Sequence, residues 1–451
     1  MANGCHSVLE WINWAKQKPC EVGNRTMLKV LIHNRKVIQP FSEPARDLRV
    51  QNMPLWLLQR DALAKHCQNE LAIEDLTALP TDGQEMIVHA DNLYFDQEFI
   101  DAFLAMARKN ALPCQAAFST EDAAFREHVL PLSSSYKKKD GLYLAPLWYY
   151  PAGNQQAPIP LQISMSPMEV GYYNVPAYMA GKMGDLVYYL PSRAFIAIDS
   201  WVHLFIADII FGLFARGVRF ERKVGKDLGY KLRLIGKAML QGKQLLRSGS
   251  LVRIGKNCTI DPGAVINGPT TIGDNVTIGA GVVIENSIIG NNVNISQGGQ
   301  VMLSVIGDGV FLPFNAAIFM TTLMERTTVA QNACLQMCVV GRNTFIGAGT
   351  TFTDFNLLPV PIRAVDGYGE LANANRPVLG CAVGHNCRIG AGLVIYPGRM
   401  IASDVVLIGS GERRVIRKNV GIEDSDAPRT RYPSAHKPEY QAGDGTNHAE
   451  W

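Results

Sequence analysis

No CxxC pair occurs among the nine cysteines, and their odd, scattered set offers no disulfide framework. That pattern fits reduced thiols in a cytosolic protein. Neither charge dominates. The net charge is +3, which excludes global attraction to nucleic acid. Histidine is sparse: His385 is the only one from Leu204 to Ala435, so this stretch lacks the three histidines of a γ-type zinc hydration site. The N-terminus, MANGCHSVLEWINWAKQKP, lacks the basic start and long apolar core of a secretion signal, and a cytoplasmic location is expected. From Ile254 onward the chain also lacks both the 3.6-residue period of a helix and the alternation of an ordinary strand.

What that region has is a period of six. A large apolar residue returns at every fifth or sixth position from Ile254 to Phe352, and Ile272, Ile289, Ile306, Leu323 and Val340 lie 17 apart. Such a count fits a prism whose coil is three short strands, each sending one apolar side chain to the axis. Gly, Asn and Asp follow the aliphatics, where tight corners need positive φ. Cys334, Cys338, Cys381 and Cys387 then read as small buried fillers.

The repeats IGDNVT, IGAGVV, IGNNVN, IGDGVF, IGAGTT and IGAGLV resemble those of the hexapeptide-repeat transferase family. The resemblance implies a left-handed parallel β-helix, a homotrimer with sites in the clefts between prisms, and acyl-CoA as co-substrate. In Gly341–Leu357 (GRNTFIGAGTTFTDFNL) the family's polar triplet falls on Asp354, Phe355 and Asn356, and its catalytic histidine falls near Gln331, which cannot abstract a proton. His385 is the remaining base of suitable type. The hexads then break at 357–377 (LLPVPIRAVDGYGELANANRP) and resume at Val383. This excursion is expected to reach a neighbouring subunit, with Arg363 and Arg376 as anion-binding candidates.

The first part of the chain alternates strands and helices: Met27–Ile32, Glu85–His89 and 113–118 as strands, 54–67 and 96–110 as helices, with Ser7–Gln17 a further short helix. This predicts an α/β domain with a mostly parallel sheet. Ala90-Asp91-Asn92 at a strand end, and Glu43-Pro44-Ala45-Arg46-Asp47-Leu48-Arg49, are similar to sugar-nucleotide pyrophosphorylases. That resemblance implies Asp91 as a ligand for Mg2+, and Arg46, Arg49 and Asn92 at a nucleotide. The family's glycine-rich phosphate loop is missing: the sequence here is Ile32-His33-Asn34-Arg35-Lys36.

Residues 194–215 form the most apolar run, interrupted by Asp199, His203 and Asp208, and Arg216–Arg253 holds 11 Lys or Arg against Glu221 and Asp227. Three readings stay open for 195–250: packing on protein, contact with an anionic membrane surface at the inner face, or a spanning helix.

The expected fold class is therefore an α/β nucleotidyltransferase-like N-terminal domain (1–190), a helical basic linker (191–250), a left-handed β-helix (251–410) and a mobile tail (411–451). The arrangement is similar to the bifunctional N-acetylglucosamine-1-phosphate uridyltransferase/glucosamine-1-phosphate acetyltransferase family. It implies a sugar-nucleotide or acyl transferase of cell-envelope or polysaccharide synthesis, with a sugar phosphate or nucleotide-sugar ligand. The other reading is a catalytically silent trimeric scaffold.

Overall fold

The computed structural model describes residues 27–427, apart from 81–82, 154–155, 176–183, 241–244, 248, 250 and 358–359. The expected helix at Ser7–Gln17 and the residues from 428 onward lie outside this range.

The N-terminal sheet is built from Met27–Ile32 (β1), Cys67–Ile73 (β2), Met86–Ala90 (β3), Cys114–Phe118 (β4), Leu142–Tyr150 (β5) and Ile159–Gln162 (β6), in the order β6-β4-β5-β3-β1-β2. β1 is parallel to both β2 and β3, but β5 runs antiparallel between β3 and β4. The sheet is thus mixed, where strand–helix alternation predicted a mostly parallel one. β5 follows a hairpin with Lys137–Lys139 rather than a helix, so nothing returns the chain for a parallel pairing.

Leu55–Leu63 (α1) and Gln97–Asn110 (α2) are helical as their apolar spacing predicts. In α2, Phe99, Ile100, Phe103, Leu104 and Ala107 form the buried face. Asp96 caps the start by accepting from Phe99 N at 2.9 Å.

The prism consists of three eight-stranded parallel sheets, stacked coil on coil. The first face runs from Val252–Ile254 to Met400–Ile401, the second from Thr259–Ile260 to Val406–Leu407, and the third from Val265–Asn267 to Val415–Ile416. The hexad residues from Ile272 to Phe352 are buried along the axis. Ile254, 47% exposed, and the partly buried Ile260 are the exceptions, because among the described residues no coil lies beneath the first one. The last coil takes in Val415–Ile416, past the expected boundary at 410. Asn275, Asn292, Asn343 and Asn386 hold positive φ at one corner, as tight corners require. The corner between the third and first faces differs: Leu303, Met320 and Met337 hold positive φ there, and Met320 and Met337 are buried against the N-terminal domain. Left-handed backbone is costly for such side chains, and their burial offsets it.

A continuous helix, Trp201–Lys226 (α3), joins the two parts, and Leu228–Leu240 (α4) follows. α3 is long and apolar enough to cross a membrane, yet 94% of its apolar window is buried inside the fold. Of the three readings of the apolar run, packing on protein is the one this helix uses. Its interrupting polar groups are each satisfied. Asp199 accepts from Ser133 Oγ, Ser134 N and Ser135 N at 2.6–3.0 Å, and His203 Nε2 lies 2.8 Å from Pro131 O. Within Ile206–Phe214 the helix widens to i→i+5 turns. There Asp208 accepts from Gln51 N at 2.6 Å and from Thr322 Oγ1 of the prism at 2.5 Å. The outward side chains of the first face, Val305, Val339 and Ala382, join the N-terminal core.

The excursion at 357–377 leaves the prism, as expected. It folds back as a hairpin, Arg363–Val365 against Leu371–Asn373, onto the protein's own N-terminal domain. Gly367 N donates to Leu132 O at 2.8 Å, and Ser200 Oγ to Val365 O at 2.7 Å. A Cβ at Gly367 would lie 2.4 Å from Ser134 Oγ, so glycine permits the approach.

Candidate functional site

From β1 the chain passes through α1 to β2 on one side and then to β3 on the other. The strand order therefore reverses at β1, and in open α/β sheets ligands bind beyond the carboxyl ends of strands at such a point. A crevice of about 950 Å³ opens there, lined among others by His33, Arg46, Asp47, Trp56, Arg60 and Asp91. Asp91 ends β3 and is 1% exposed. Its Oδ1 accepts from Asn34 N at 2.9 Å, and its Oδ2 lies 3.1 Å from His33 Nδ1 and 3.5 Å from Arg46 Nη1. Arg46 Nη1 donates to His33 Nδ1 at 2.8 Å. Arg46 comes from the short 3₁₀ turn Ala45–Asp47.

Asp47, beside it, has its carboxyl raised above the usual range by burial; Arg46 opposes this and Asp91 adds to it. Arg46 Nε and Asp47 Oδ1 face each other across 3.8 Å, and both are buried without a hydrogen bond. The remaining exposed parts of these two side chains line the crevice. Lys29 and Arg35, also on the wall, are paired with Glu70 and Glu74 at 2.7 Å.

The same geometry does not fit Mg2+. Both oxygens of Asp91 are engaged, and the Arg46 guanidinium stands where a cation would be held. Among the described residues no group of three His, Cys, Asp or Glu side chains could hold a metal ion. Asn92 is not at the crevice mouth either: it is 2% exposed and donates to Asp199 Oδ1 and Ser135 Oγ, both at 3.2 Å. Its role is to tie β3 to the Ser133–Ser135 turn. Asp199 stood out in the sequence only as an interruption of the apolar run, and nothing there paired it with those serines.

Arg49, three residues after Arg46, faces the other way and pairs with Glu325 of the prism. It belongs to a junction in which Glu43 accepts from Arg342 and Pro40 O accepts from Ser403 Oγ at 2.9 Å. His385 sits in this junction with no exposed surface. Its Nδ1 accepts from Arg342 N at 2.8 Å, its Nε2 lies 3.5 Å from Glu43 Oε1, and Phe41 packs on the ring at 5.4 Å. A base that the chain itself encloses has no access to substrate, so His385 is a positioning residue here.

The other prism candidates do not meet in one chain. Gln331 lies between strands of the second and third faces, Asp354 follows the third face, and His385 lies between the first and second. They occupy three different corners. Gln331 is exposed. Asp354 is partly buried, which raises its carboxyl, and Leu379 N donates to its backbone oxygen at 2.8 Å. Asn356 Nδ2 donates to Val360 O at 2.9 Å. Arg363 is exposed and donates to Leu371 O within its own hairpin. Arg376 is buried and meets His128 Nδ1 at 2.7 Å; burial lowers both, and the guanidinium pushes His128 further down. Asn375 donates to Glu127 at 2.9 Å beside it. Arg376 thus pins the excursion to the N-terminal domain and is closed to substrate.

Two family models match segments of the prism. Residues 252–286 match the family model described as bacterial transferase hexapeptide (six repeats), and residues 372–397 the one described as hexapeptide repeat of succinyl-transferase. No curated protein matches the sequence. Among solved structures, UDP-N-acetylglucosamine acyltransferase from Campylobacter jejuni is similar at 16% identity over 36% of this chain and 68% of its own, with a TM-score of 0.26. UDP-N-acetylglucosamine O-acyltransferase from Moraxella catarrhalis is similar at 16% identity over 35% of this chain and 70% of its own, with a TM-score of 0.21. The C-terminal half of this protein is a prism of three stacked parallel sheets, with hexapeptide-repeat matches at 252–286 and 372–397.

Proposed function

We propose that the protein is a transferase that takes a sugar phosphate or nucleotide sugar in the N-terminal crevice, with the β-helix as its rigid, self-associating platform. The observation that carries this is the charged pair Arg46 and Asp47 on the wall of the crevice, at the point where strand order reverses. A guanidinium suits a phosphate and a carboxylate suits a sugar or ribose hydroxyl. Trp56 on the crevice wall, with Arg60 stacked over it at 5.8 Å, gives a flat surface for a base or sugar ring. Transfer of an acyl group from acyl-CoA is the reaction to test first, since hexapeptide models described for transferases match the prism. Phe311, Phe314 and Phe345 stand exposed on and beside the second face, which supports a trimer formed through the prisms.

Calorimetric titration with UDP-sugars, sugar phosphates, UTP with and without magnesium, and acetyl-CoA tests the reading. Binding of a phosphate-bearing sugar that Arg46→Ala abolishes is expected. Absence of binding by every one of these ligands would sink it. The scaffold reading rests on one observation of its own: His385 is enclosed and Gln331 cannot act as a base, so no base has been placed on the prism.

A further inference from the structure

No base has been placed on the prism, but the N-terminal crevice holds an imidazole. Of the residues lining it, His33 is the only histidine. It follows directly on β1, and its Nδ1 is turned inward to the buried Asp91. A third of the side chain, 33%, is exposed. No described residue bonds its Nε2. That nitrogen lies on the ring edge left to the crevice.

Nδ1 has two neighbours of opposite kind. The Asp91 carboxylate, with Oδ2 at 3.1 Å, accepts, and Arg46 Nη1, at 2.8 Å, donates. One ring nitrogen cannot serve both. When Arg46 holds it, Nδ1 is bare, the ring proton sits on Nε2, and a neutral His33 takes no proton from the crevice. When Asp91 holds it, the proton sits on Nδ1 and Nε2 offers a lone pair.

The two rivals are not equally fixed. Asp91 is held from its other side, where Oδ1 accepts from Asn34 N at 2.9 Å. The Arg46 guanidinium has one hydrogen bond among the described residues, the one to His33. Its other charged neighbours stand farther off, Asp91 at 3.5 Å and Asp47 at 3.8 Å. A phosphate is a stronger acceptor for a guanidinium than a neutral imidazole is, through its charge and its paired oxygens.

Resting on the reading of the crevice as the sugar-phosphate site of an acyl transferase, we infer that the ligand's phosphate switches His33 on as the base. The phosphate draws Arg46 Nη1 away and leaves Nδ1 to Asp91. One ring proton moves from Nε2 to Nδ1 through solvent, with no net gain or loss. In the step that follows, the hydroxyl oxygen of the sugar bonds the acyl carbon of a coenzyme A thioester and its proton passes to Nε2. The carbon–sulfur bond breaks, and the leaving thiolate takes that proton from Nε2. Asp91 faces the imidazolium formed in between and stabilises its charge. An empty crevice then has no base to turn water on the thioester.

The test is solid-state NMR of the full chain labelled with nitrogen-15 histidine, beside calorimetric titration with inorganic phosphate, glucose 1-phosphate and UDP-N-acetylglucosamine. His33 is the signal missing from His33→Asn. The proton is expected on Nε2 in the free protein and on Nδ1 once ligand saturates it. Arg46→Ala is expected to carry it on Nδ1 with no ligand; should that variant fail to fold, the wild-type comparison decides alone. His33→Asn is expected to bind ligand within about threefold of the wild type and to lose acyl transfer, from acetyl-CoA or a longer acyl-CoA, about a hundredfold or more. Four results overturn the proposal and leave the crevice reading standing: ligand binding with the proton unmoved, a proton already on Nδ1 in the free wild type, a proton still on Nε2 in folded Arg46→Ala, or full transfer by His33→Asn. Binding with no acyl transfer by the wild type overturns the proton-transfer step. No binding by any of the three ligands sinks the crevice reading and this proposal with it.

Discussion

Glu43 of the N-terminal domain accepts from both terminal nitrogens of Arg342 in the prism, 299 positions away, with both side chains buried. Removing one partner leaves the other charged in a dry junction. Arg342→Met is expected to cost about 3–5 kcal/mol, and Glu43→Gln with Arg342→Met much less. Denaturant melts of the two singles and the double form the cycle that measures this. An additive double would show that the two groups are not coupled.

His385 separates a positioning role from a catalytic one. His385→Ala leaves Arg342 N without its buried acceptor and is expected to destabilise by about 1–3 kcal/mol. His385→Asn restores an acceptor near Nδ1 and should recover most of that while keeping transferase activity. An inactive His385→Asn protein with an unchanged melt would return the imidazole to the chemistry.

Asp208 carries a pH signature. Burial pushes its carboxyl up to about 6, against the hydrogen bonds from Thr322 and Gln51. The folded state therefore holds this proton more tightly than the unfolded chain. The stability it contributes is fully present below the unfolded value of 3.8 and is lost as pH rises through about 6. Asp208→Asn should accordingly be more stable than the wild type at pH 8 by on the order of 2 kcal/mol, with the gap closing towards pH 4. Melts across that range check it. A gap that does not change with pH would place the titration elsewhere.

In the crevice, Arg46→Ala releases both His33 and Asp91. It is expected to weaken a phosphate-bearing ligand at least tenfold, while Arg49→Ala, facing the prism, should lower stability instead. Binding titrations and melts on both variants read the two effects separately. The opposite assignment would show that the ligand lies at the junction.

Ile306→Ala tests the axis. Its side chain has no exposed surface and stacks in register between Ile289 and Leu323. Deleting it should cost about 2–5 kcal/mol. Ile254→Ala, at the open end of the stack, should cost under about 1 kcal/mol. Equal losses at the two positions would contradict the packing described for the end coil.

The coil was legible because its cause is local. Each corner needs a residue that tolerates positive φ, and each strand sends one side chain to the axis, so the period is written into the chain. α2 was legible for the same reason, through apolar spacing and an Asp cap. The mixed sheet was not, because β5 carries no mark of direction. The site was half legible: Arg46 and Asp91 were found and do meet, but Asp47 and His33 were passed over. Asn92, Arg49 and Arg376 were assigned to ligands, and the fold uses them to join segments.

Sequence alone determined that a β-helix would form, and that a strand–helix domain would precede it. Only tertiary structure decided what each polar residue does there. Arg46 and Arg49 are three apart and of one chemistry, yet one faces a crevice and the other a buried carboxylate of the prism. Asp199, His203 and Asp208 broke an apolar run that is buried all the same, because distant segments supply their partners. A periodic pattern fixes which face of a segment is apolar. It cannot fix which remote surface that face will meet, since that depends on contacts hundreds of residues apart in the chain.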